Sequence, residues 1–365
     1  ETSKLTQLHI YMKKQIAIAS AILAASSYSF AEIALTESLS VEGFVDMSYS
    51  HADDDANTGS ESTNSYSVDQ VEFSFLLNYD AVSAQVDLEY SNSDALIDQA
   101  FVAYDLGNGS TVTAGRIDSM LGFEAFEPTG MYQNSYAYQS AAEELADADI
   151  TFSDIITPGT NNAIKYTFDT DGSSFGIALQ DGGFFGDNRL GGDDDGDALS
   201  DLLAELTGTT GTAITSHAVE VSYKQDLGNG LSAFAGYLSE EATVNDVDID
   251  SSVLNLYATL ETGAWIFAAE YIDTNHDVKG VGEIEIDAFL LLANYSYSDQ
   301  ASLTARYSQV EINDFAEGTK LTLANNYAIT DNLLLVTELS TVDYDYDAGE
   351  SGDTLEGAVE LLFTF

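Results

Sequence analysis

The sequence predicts an all-β fold: a transmembrane antiparallel β-barrel of about sixteen strands. Three observations lead to this prediction, namely a two-residue hydrophobic period, long strand segments, and tight turns that alternate with longer loops. In one segment, for example, Val219, Val221 and Tyr223 alternate with polar neighbours. A strand of this kind has one face suited to lipid and one face suited to water.

The predicted strands are long enough to cross a membrane. A tilted membrane-spanning strand needs about 9–11 residues, whereas strands of soluble domains are nearer 5–6. Most of the segments reach the membrane-spanning length. They cover residues 38–50, 67–79, 81–91, 95–106, 110–117, 161–169, 173–181, 215–226, 231–240, 247–260, 263–273, 283–297, 300–312, 317–328, 332–343 and 353–365.

The connections also favour a membrane barrel. Links after even-numbered segments are short and rich in Gly, Asn and Asp, as in Gly107-Asn108-Gly109 and the turn 227–230. Links after odd-numbered segments are mostly longer, with short exceptions at 92–94, 241–246 and 313–316. The longer links are 51–66, 118–160, 182–214, 274–282 and 344–352. Outer-membrane barrels have tight periplasmic turns, longer outer loops and an even strand number that lets the sheet close.

Composition excludes several other classes of protein. The chain has 62 Asp and Glu against 10 Lys and Arg, a formal net charge of −52, so it lacks the positive face that nucleic-acid binding requires. It has no Cys, which excludes a disulfide scaffold. Its 45% hydrophobic content argues against a disordered acidic chain. It has no apolar run of about 18 residues, which excludes a helical membrane protein.

The N-terminal region predicts a secretory signal peptide at 12–31, followed by the barrel domain at 32–365. Met12-Lys13-Lys14 is a basic start, 16–25 is a short apolar run, and Ser29-Phe30-Ala31 is a cleavage-like ending. The apolar run is too short to span a bilayer as a helix. A buried N-terminal helix is the alternative. Export of this kind places the mature chain in the periplasm, in the outer membrane or outside the cell.

With these features the sequence resembles the Gram-negative trimeric porin superfamily. The stretch Thr111-Val112-Thr113-Ala114-Gly115-Arg116 is similar to the strand that ends in Gly-Arg and leads into a long loop. Here the fifth segment is followed by the longest loop, 118–160, and the stretch 122–130 within it also looks like porin loops. The resemblance implies that this loop folds into the lumen and narrows the channel. It also implies a homotrimer in the outer membrane.

The resemblance and the strand parity together define an expected pore constriction. Loop 118–160 carries acidic residues and no Lys or Arg, and parity turns several basic wall residues inward. Acidic and basic groups that face each other would set a transverse field, although the acids could simply solvate an external loop. The expected constriction residues are Arg116, Glu124, Glu127, Glu143, Glu144, Lys165, Lys224, Arg306 and Lys320.

Strand alternation and the family resemblance predict opposite orientations for the Arg116 side chain. Simple alternation places it on the outward face of Val112 and Ala114, whereas the resemblance places it in the constriction. A β-bulge at Gly115 would reconcile them, because an extra residue reverses the side-chain alternation. We expect Arg116 to face the lumen.

The expected function is a water-filled channel for passive diffusion of ions and small hydrophilic solutes, with weak cation selectivity from the acidic charge. One alternative is a substrate-preferring porin, for instance with sugars stacked on Tyr132, Tyr136 and Tyr138. The other is a non-channel surface barrel that serves as an adhesin or structural protein. Outer-membrane lipid and lipopolysaccharide are the expected surroundings.

The sequence indicates no enzyme, cofactor or metal site. A hydrolase would need a Ser–His pair with an orienting group. The stretch 172–176 matches Gly-x-Ser-x-Gly, but the predicted strand 173–181 runs through it, so its Ser174 is not in the strand-to-helix elbow that this motif requires. His51 and His276 fall in predicted loops. The acidic run 193–197 is interpreted as a solvated external loop, with a divalent cation that bridges to lipopolysaccharide as the alternative.

Overall fold

The computed structural model describes residues 32–56, 59–91, 94–124, 126–138, 153–185, 214–244, 247–313, 316–346, 349 and 351–365. The predicted signal peptide at 12–31 lies outside these residues, as do Glu143, Glu144 and the acidic run 193–197.

Sixteen long antiparallel strands account for most of the described chain, and each corresponds to one of the predicted segments. A two-residue strand, Ile33–Ala34, pairs with the first of them. The sixteen are β1 (Leu39–Ala56), β2 (Gly59–Tyr79), β3 (Val82–Ser91), β4 (Asp94–Gly107), β5 (Ser110–Asp118), β6 (Thr160–Asp169), β7 (Ser173–Gln180), β8 (Ile214–Gly228), β9 (Leu231–Val244), β10 (Val247–Thr262), β11 (Trp265–Val278), β12 (Gly282–Ser298), β13 (Ala301–Ile312), β14 (Ala316–Thr330), β15 (Leu333–Tyr346) and β16 (Ser351–Thr364).

The sheet closes on itself. Every strand pairs with its neighbours in sequence, and β16 pairs antiparallel with β1 from Gly352 opposite Ala56 to Thr364 opposite Phe44. Beyond the strand, the Phe365 amide donates to the Gly43 carbonyl at 2.9 Å. Closure leaves no open edge between the first and last strands, which is the condition for a sheet in lipid. The predicted sixteen-strand barrel is therefore confirmed.

Within the described ranges, two short helical elements lie outside the barrel strands. Pro128–Gly130 form one turn of 3-10 helix, and Ser153–Ile156 form the helix α1. No helix in the described ranges is long and apolar enough to cross a membrane.

The strand faces follow the two-residue period. Large apolar side chains are exposed on the outer face of the barrel, such as Leu179 at 60%, Ile164 at 61% and Leu321 at 51%. Their neighbours along the strand point inward and are largely buried. An apolar band around the outside is what contact with hydrocarbon requires.

Several predicted loops turned out to be strand. The predicted loop 51–66 is mostly an extension of the β1–β2 hairpin, which pairs through to Ala56 opposite Gly59. The loops 274–282 and 344–352 shrink in the same way, because β11 continues to Val278 and β15 to Tyr346. Polar residues in an extended ladder remain satisfied by hydrogen bonds, so polarity alone was a poor guide to where these strands end.

The histidine positions change with these boundaries. His51 lies on β1 and not in a loop, and its ring bonds the Thr63 carbonyl across the hairpin at 2.9 Å. His276 lies on β11, where it is fully buried between Ser251 and the Ile155 carbonyl. His276 therefore helps to position α1 against the wall.

The predicted tight turns are confirmed, and their residue types explain them. Asp80, Asn108 and Asn229 all adopt positive φ, between 49° and 57°. Asn and Asp tolerate this left-handed region better than other residues with a Cβ. In the β8–β9 turn, Gly228 and Gly230 flank Asn229 with φ of 84° and 79°.

We predict that Gly230→Ala destabilises the barrel more than Gly228→Ala. Both substitutions place a Cβ at positive φ, which costs about 1–2 kcal/mol. A Cβ on Gly230 would also lie 2.0 Å from the Glu261 carbonyl oxygen, whereas none of the described atoms lies within 4 Å at Gly228. Urea unfolding of the refolded protein in lipid vesicles measures the difference. Equal losses in the two variants would contradict the role of this close contact.

Candidate functional site

The segment that follows β5 lies against the inner face of the barrel. We call residues 119–124 and 126–138 the inner loop. Its hydrogen bonds reach strands that are far apart around the barrel, including β8 through Glu220 and β16 through Glu360. A single segment can contact all these strands only from inside the cylinder. For its described part, the loop therefore occupies the position that the sequence analysis expected.

Carboxylates on the wall hold the inner loop by its backbone. Glu220 accepts from the Met120 amide at 2.5 Å, and Glu270 accepts from the Phe123 amide at 2.7 Å. Glu338 accepts from the Asn134 and Ser135 amides at 2.8 and 3.1 Å. An irregular loop inside a barrel has no ladder partners for these amides. Charged acceptors form strong hydrogen bonds with them and fix the path of the loop.

Arg306 on β13 is the basic counterpart of these anchors. Its guanidinium forms an ion pair with Glu124 at 2.6 Å, and its side chain has no exposed surface. It also donates to the carbonyls of Ser135 at 2.7 Å and Tyr136 at 3.0 Å. Arg306 faces inward as expected, but it lies beneath the inner loop and binds it.

Apolar packing completes the contact between loop and wall. Leu121 and Phe123 of the loop join buried inner residues of the opposite strands, such as Leu238, Tyr257 and Ile272. The sequence analysis expected a polar inner face, but on β9–β13 the inner face is mixed, with apolar residues such as Leu238 and Ile272 beside polar ones such as Glu270. The reason is that the inward faces of these strands pack against the loop and α1 and not against water.

The other side of the interior carries carboxylates. We call Glu72 on β2, Asp87 on β3, Asp98 on β4, Asp118 on β5 and Glu127 of the inner loop the acidic patch. These groups lie close enough for their charges to act on one another. Burial, together with the charge of Glu72, raises the pKa of the Glu127 carboxyl well above its usual range.

Lys165, Lys224 and Lys320 also face inward. Lys165 pairs across the sheet with Thr113 and Ala178, both buried on the inner face. Its ammonium is within electrostatic reach of Glu220 and Asp118.

Lys224 and Lys320 follow the same parity. Lys224 stands opposite the buried Phe234. Lys320 is fully buried and forms an ion pair with Glu356 at 2.8 Å. Whether any of these residues lines the narrowest part of a pore stays a prediction.

Arg116 is 6% exposed, and its Nε donates to the Asp98 carbonyl at 2.8 Å. The predicted bulge at Gly115 is absent, because the register with both neighbouring strands runs through Gly115 and Arg116 without a shift. Gly115 instead adopts a φ of 143°. The register keeps Arg116 on the face of Ala114, while its charge still acts on Asp118. Its place in the constriction stays a prediction.

The three loop tyrosines contribute to the scaffold. The Tyr138 hydroxyl donates to Glu270 at 3.0 Å, and the Tyr136 hydroxyl donates to the Phe126 carbonyl at 2.8 Å. The Tyr132 carbonyl accepts from Thr304 and Asn326. These bonds help to fix the loop, and the stacking of sugars on the three rings stays a prediction.

The sequence analysis missed the wall carboxylates that hold the loop. Their signal was present, because Glu220 stands between Val219 and Val221 on an alternating strand and therefore faces inward. Gly236 was a second signal, since a Cβ there would lie 2.3 Å from Leu121 Cδ2. A glycine inside a strand often marks such a close approach.

Comparisons with known proteins agree with this architecture. The profile of the Gram-negative porin family matches residues 17–347. No curated protein is similar enough in sequence to match the chain.

Among solved structures, an anion-selective porin from Comamonas acidovorans matches with a TM-score of 0.64 at 14% identity, covering 90% of this chain and 99% of that chain. The outer membrane channel DcaP of Acinetobacter baumannii matches with a TM-score of 0.62 at 13% identity, covering 90% and 97%. The trimer form of OmpT, an outer membrane protein of Vibrio cholerae, matches with a TM-score of 0.55 at 14% identity, covering 90% and 100%.

A closed sixteen-strand barrel with a loop held against its inner wall is the architecture of an outer-membrane channel. The chain belongs to the Gram-negative porin family, since the family profile covers most of its length. Its location is the outer membrane. Because the sequence identities to the solved structures are low, these similarities support the fold alone.

We predict that Arg306→Met releases the inner loop. Removal of one partner from a buried ion pair leaves an uncompensated charge on Glu124, at a cost of about 3–5 kcal/mol. We expect chymotrypsin to cleave the folded barrel at the loop tyrosines at least about tenfold faster. A double variant with Glu124→Gln should recover part of the protection. Lys279→Met, which removes an exposed ion pair with Asp250, is the matched control. An unchanged cleavage rate in Arg306→Met would contradict the anchoring role.

Proposed function

We propose that this protein is a passive diffusion channel for ions and small hydrophilic solutes, with weak selectivity for cations. The observation that carries the proposal is the divided interior. On one side the inner loop packs against apolar wall residues, and on the other side the acidic patch faces inward. Water and ions follow the polar side, because close apolar packing excludes them.

The arrangement of charge supports cation selectivity. Two of the wall cations are engaged in buried ion pairs, Arg306 with Glu124 and Lys320 with Glu356. Glu72 and Glu127 of the acidic patch act on each other and on Asp98, whereas Asp118 also lies within electrostatic reach of Lys165 and Arg116. Clustered charge of one sign with low-dielectric walls raises the local concentration of the opposite ion. We propose that the transverse field is therefore weaker than the sequence analysis expected, and that the net negative potential dominates.

The expected export, assembly and surroundings belong to the same proposal. A signal peptide at 12–31 would deliver the chain to the outer membrane, where the barrel would contact lipid and lipopolysaccharide. A homotrimer is supported by the trimer form reported for the OmpT neighbour. The anion-selective porin among the neighbours has the same fold, so selectivity depends on the side chains of each barrel and not on the fold itself.

We predict that the purified protein in liposomes admits small neutral sugars at rates that fall with their size. A swelling assay measures this flux. Rates that follow size without saturation support a general diffusion channel, and saturation by one sugar would favour the substrate-preferring alternative. Liposomes that do not swell with any solute would support a barrel without an open channel, such as an adhesin.

We predict a reversal potential of the sign expected for cations in a salt gradient across a planar bilayer. Since the pKa of Glu127 is raised, this carboxyl loses its charge at a higher pH than an ordinary Glu as the pH falls. Cation preference should therefore be strongest at alkaline pH and decline on acidification.

The variant Glu127→Gln should lower the cation preference at alkaline pH, and its difference from the wild type should shrink as the pH falls, because the raised pKa of Glu127 lets this carboxyl lose its charge. Asp331→Asn, in an exposed turn, is the matched control for a lost negative charge. Anion preference in the wild type would overturn the proposed selectivity while leaving the channel itself intact.

A further inference from the structure

We propose that Glu72, Asp98 and Glu127 form a binding site for a divalent cation, of the calcium type, between the barrel wall and the inner loop. One carboxylate oxygen from each residue lies within 4.8 Å of the other two. Calcium binds oxygen at about 2.3–2.6 Å, so oxygens on opposite sides of the ion are about 4.6–5.2 Å apart. The three oxygens therefore fit around one such ion without rearrangement of the backbone.

Unpartnered buried oxygens point to a ligand at this position. Glu72 is 6% exposed, and its Oε1 accepts from the Ser74 hydroxyl at 2.9 Å. Within the described chain, Glu72 Oε2 and Glu127 Oε2 are both buried and have no hydrogen-bond donor. Two acceptors that face each other in a buried place repel, and each costs free energy unless a proton or a cation lies between them.

The number of charges favours a divalent cation over a proton. A proton shared by Glu72 and Glu127 would leave two negative charges among the three carboxylates, while Asp87 and Asp118 add further negative charge nearby. A divalent cation bound by the three carboxylates would leave only one net negative charge among them. Arg116 is the basic group at the edge of the cluster, where its Nε bonds the Asp98 carbonyl and its charge acts on Asp118. Its presence reduces the repulsion but supplies no donor to the two unpartnered oxygens.

The three ligands come from separate parts of the fold. Glu72 lies on β2 and Asp98 on β4, whereas Glu127 lies in the inner loop, immediately before the Pro128–Gly130 turn. The loop is bound by Glu220 on β8, Glu270 on β11 and Glu338 on β15. A cation at the site would bind it to β2 and β4 as well. The ion would therefore close the contact between the loop and the β2–β4 wall.

Calcium binding to the purified full-length mature protein in detergent tests the site. Equilibrium dialysis with radioactive calcium, in buffer of about 0.15 M KCl that screens the exposed acids, should detect one site per chain in the wild type. Glu127→Gln and Asp98→Asn should each weaken this site at least about tenfold, since each removes a ligand. Asp331→Asn, which removes an exposed carboxylate, should leave it unchanged.

Each outcome decides the proposal. Glu127 is a loop residue, so Glu127→Gln preserves the barrel strands, and heat-modifiable migration on gels confirms that the variant has folded. Equal calcium binding in the wild type and in folded Glu127→Gln would show that calcium occupies exposed acidic loops, and would overturn the site. An absence of binding to the wild type would mean that Glu72 and Glu127 share a proton, and would also overturn it. Neither outcome affects the swelling assay, so failure of the site is distinguishable from failure of the channel.

Discussion

The hydrogen bonds between wall carboxylates and the backbone of the inner loop are the interaction on which the interior of this barrel depends. An irregular segment inside a closed sheet has amide groups that no ladder can satisfy, and a buried amide without an acceptor costs about 1–3 kcal/mol. Glu220, Glu270 and Glu338 supply charged acceptors at the required positions. Once they fix the backbone, Leu121 and Phe123 can pack against the apolar wall. The loop is thus held by polar and apolar contacts that support each other.

The same residue type serves two purposes on opposite sides of the interior. Carboxylates near the loop backbone accept hydrogen bonds from its amides and so hold the loop to the wall. In the acidic patch Glu72 and Glu127 face each other, and we propose that the charge of this patch attracts cations. The distinction arises from the partners and not from the residues, since Glu270 meets the Phe123 amide whereas Glu72 meets Glu127. Net charge alone, at −52, does not separate these two groups.

The sequence was sufficient for the architecture because a two-residue period, repeated over long segments, determines both the strand and the face. It was less reliable at the strand ends, where the β1–β2 hairpin continues through residues as polar as Asp53. Strand parity correctly turned Arg306 and Lys320 inward, but parity does not reveal what covers an inward side chain. The ion pair of Arg306 with Glu124 joins residues 182 positions apart, and no local pattern encodes such a contact. The expected bulge at Gly115 failed because glycine can take up an unusual φ without a shift in register.

The long sequence separation of the tethers has a consequence for biogenesis. The hydrogen-bond partner of Met120 is Glu220, 100 residues later in the chain. The partner of Asn134 is Glu360, 226 residues later and near the end of the chain. Contacts of such high order form late, because the intervening chain must first be in place. The inner loop can therefore form all of its tethers only when β16 is in place. The interior of the barrel acquires its final shape with the last strand.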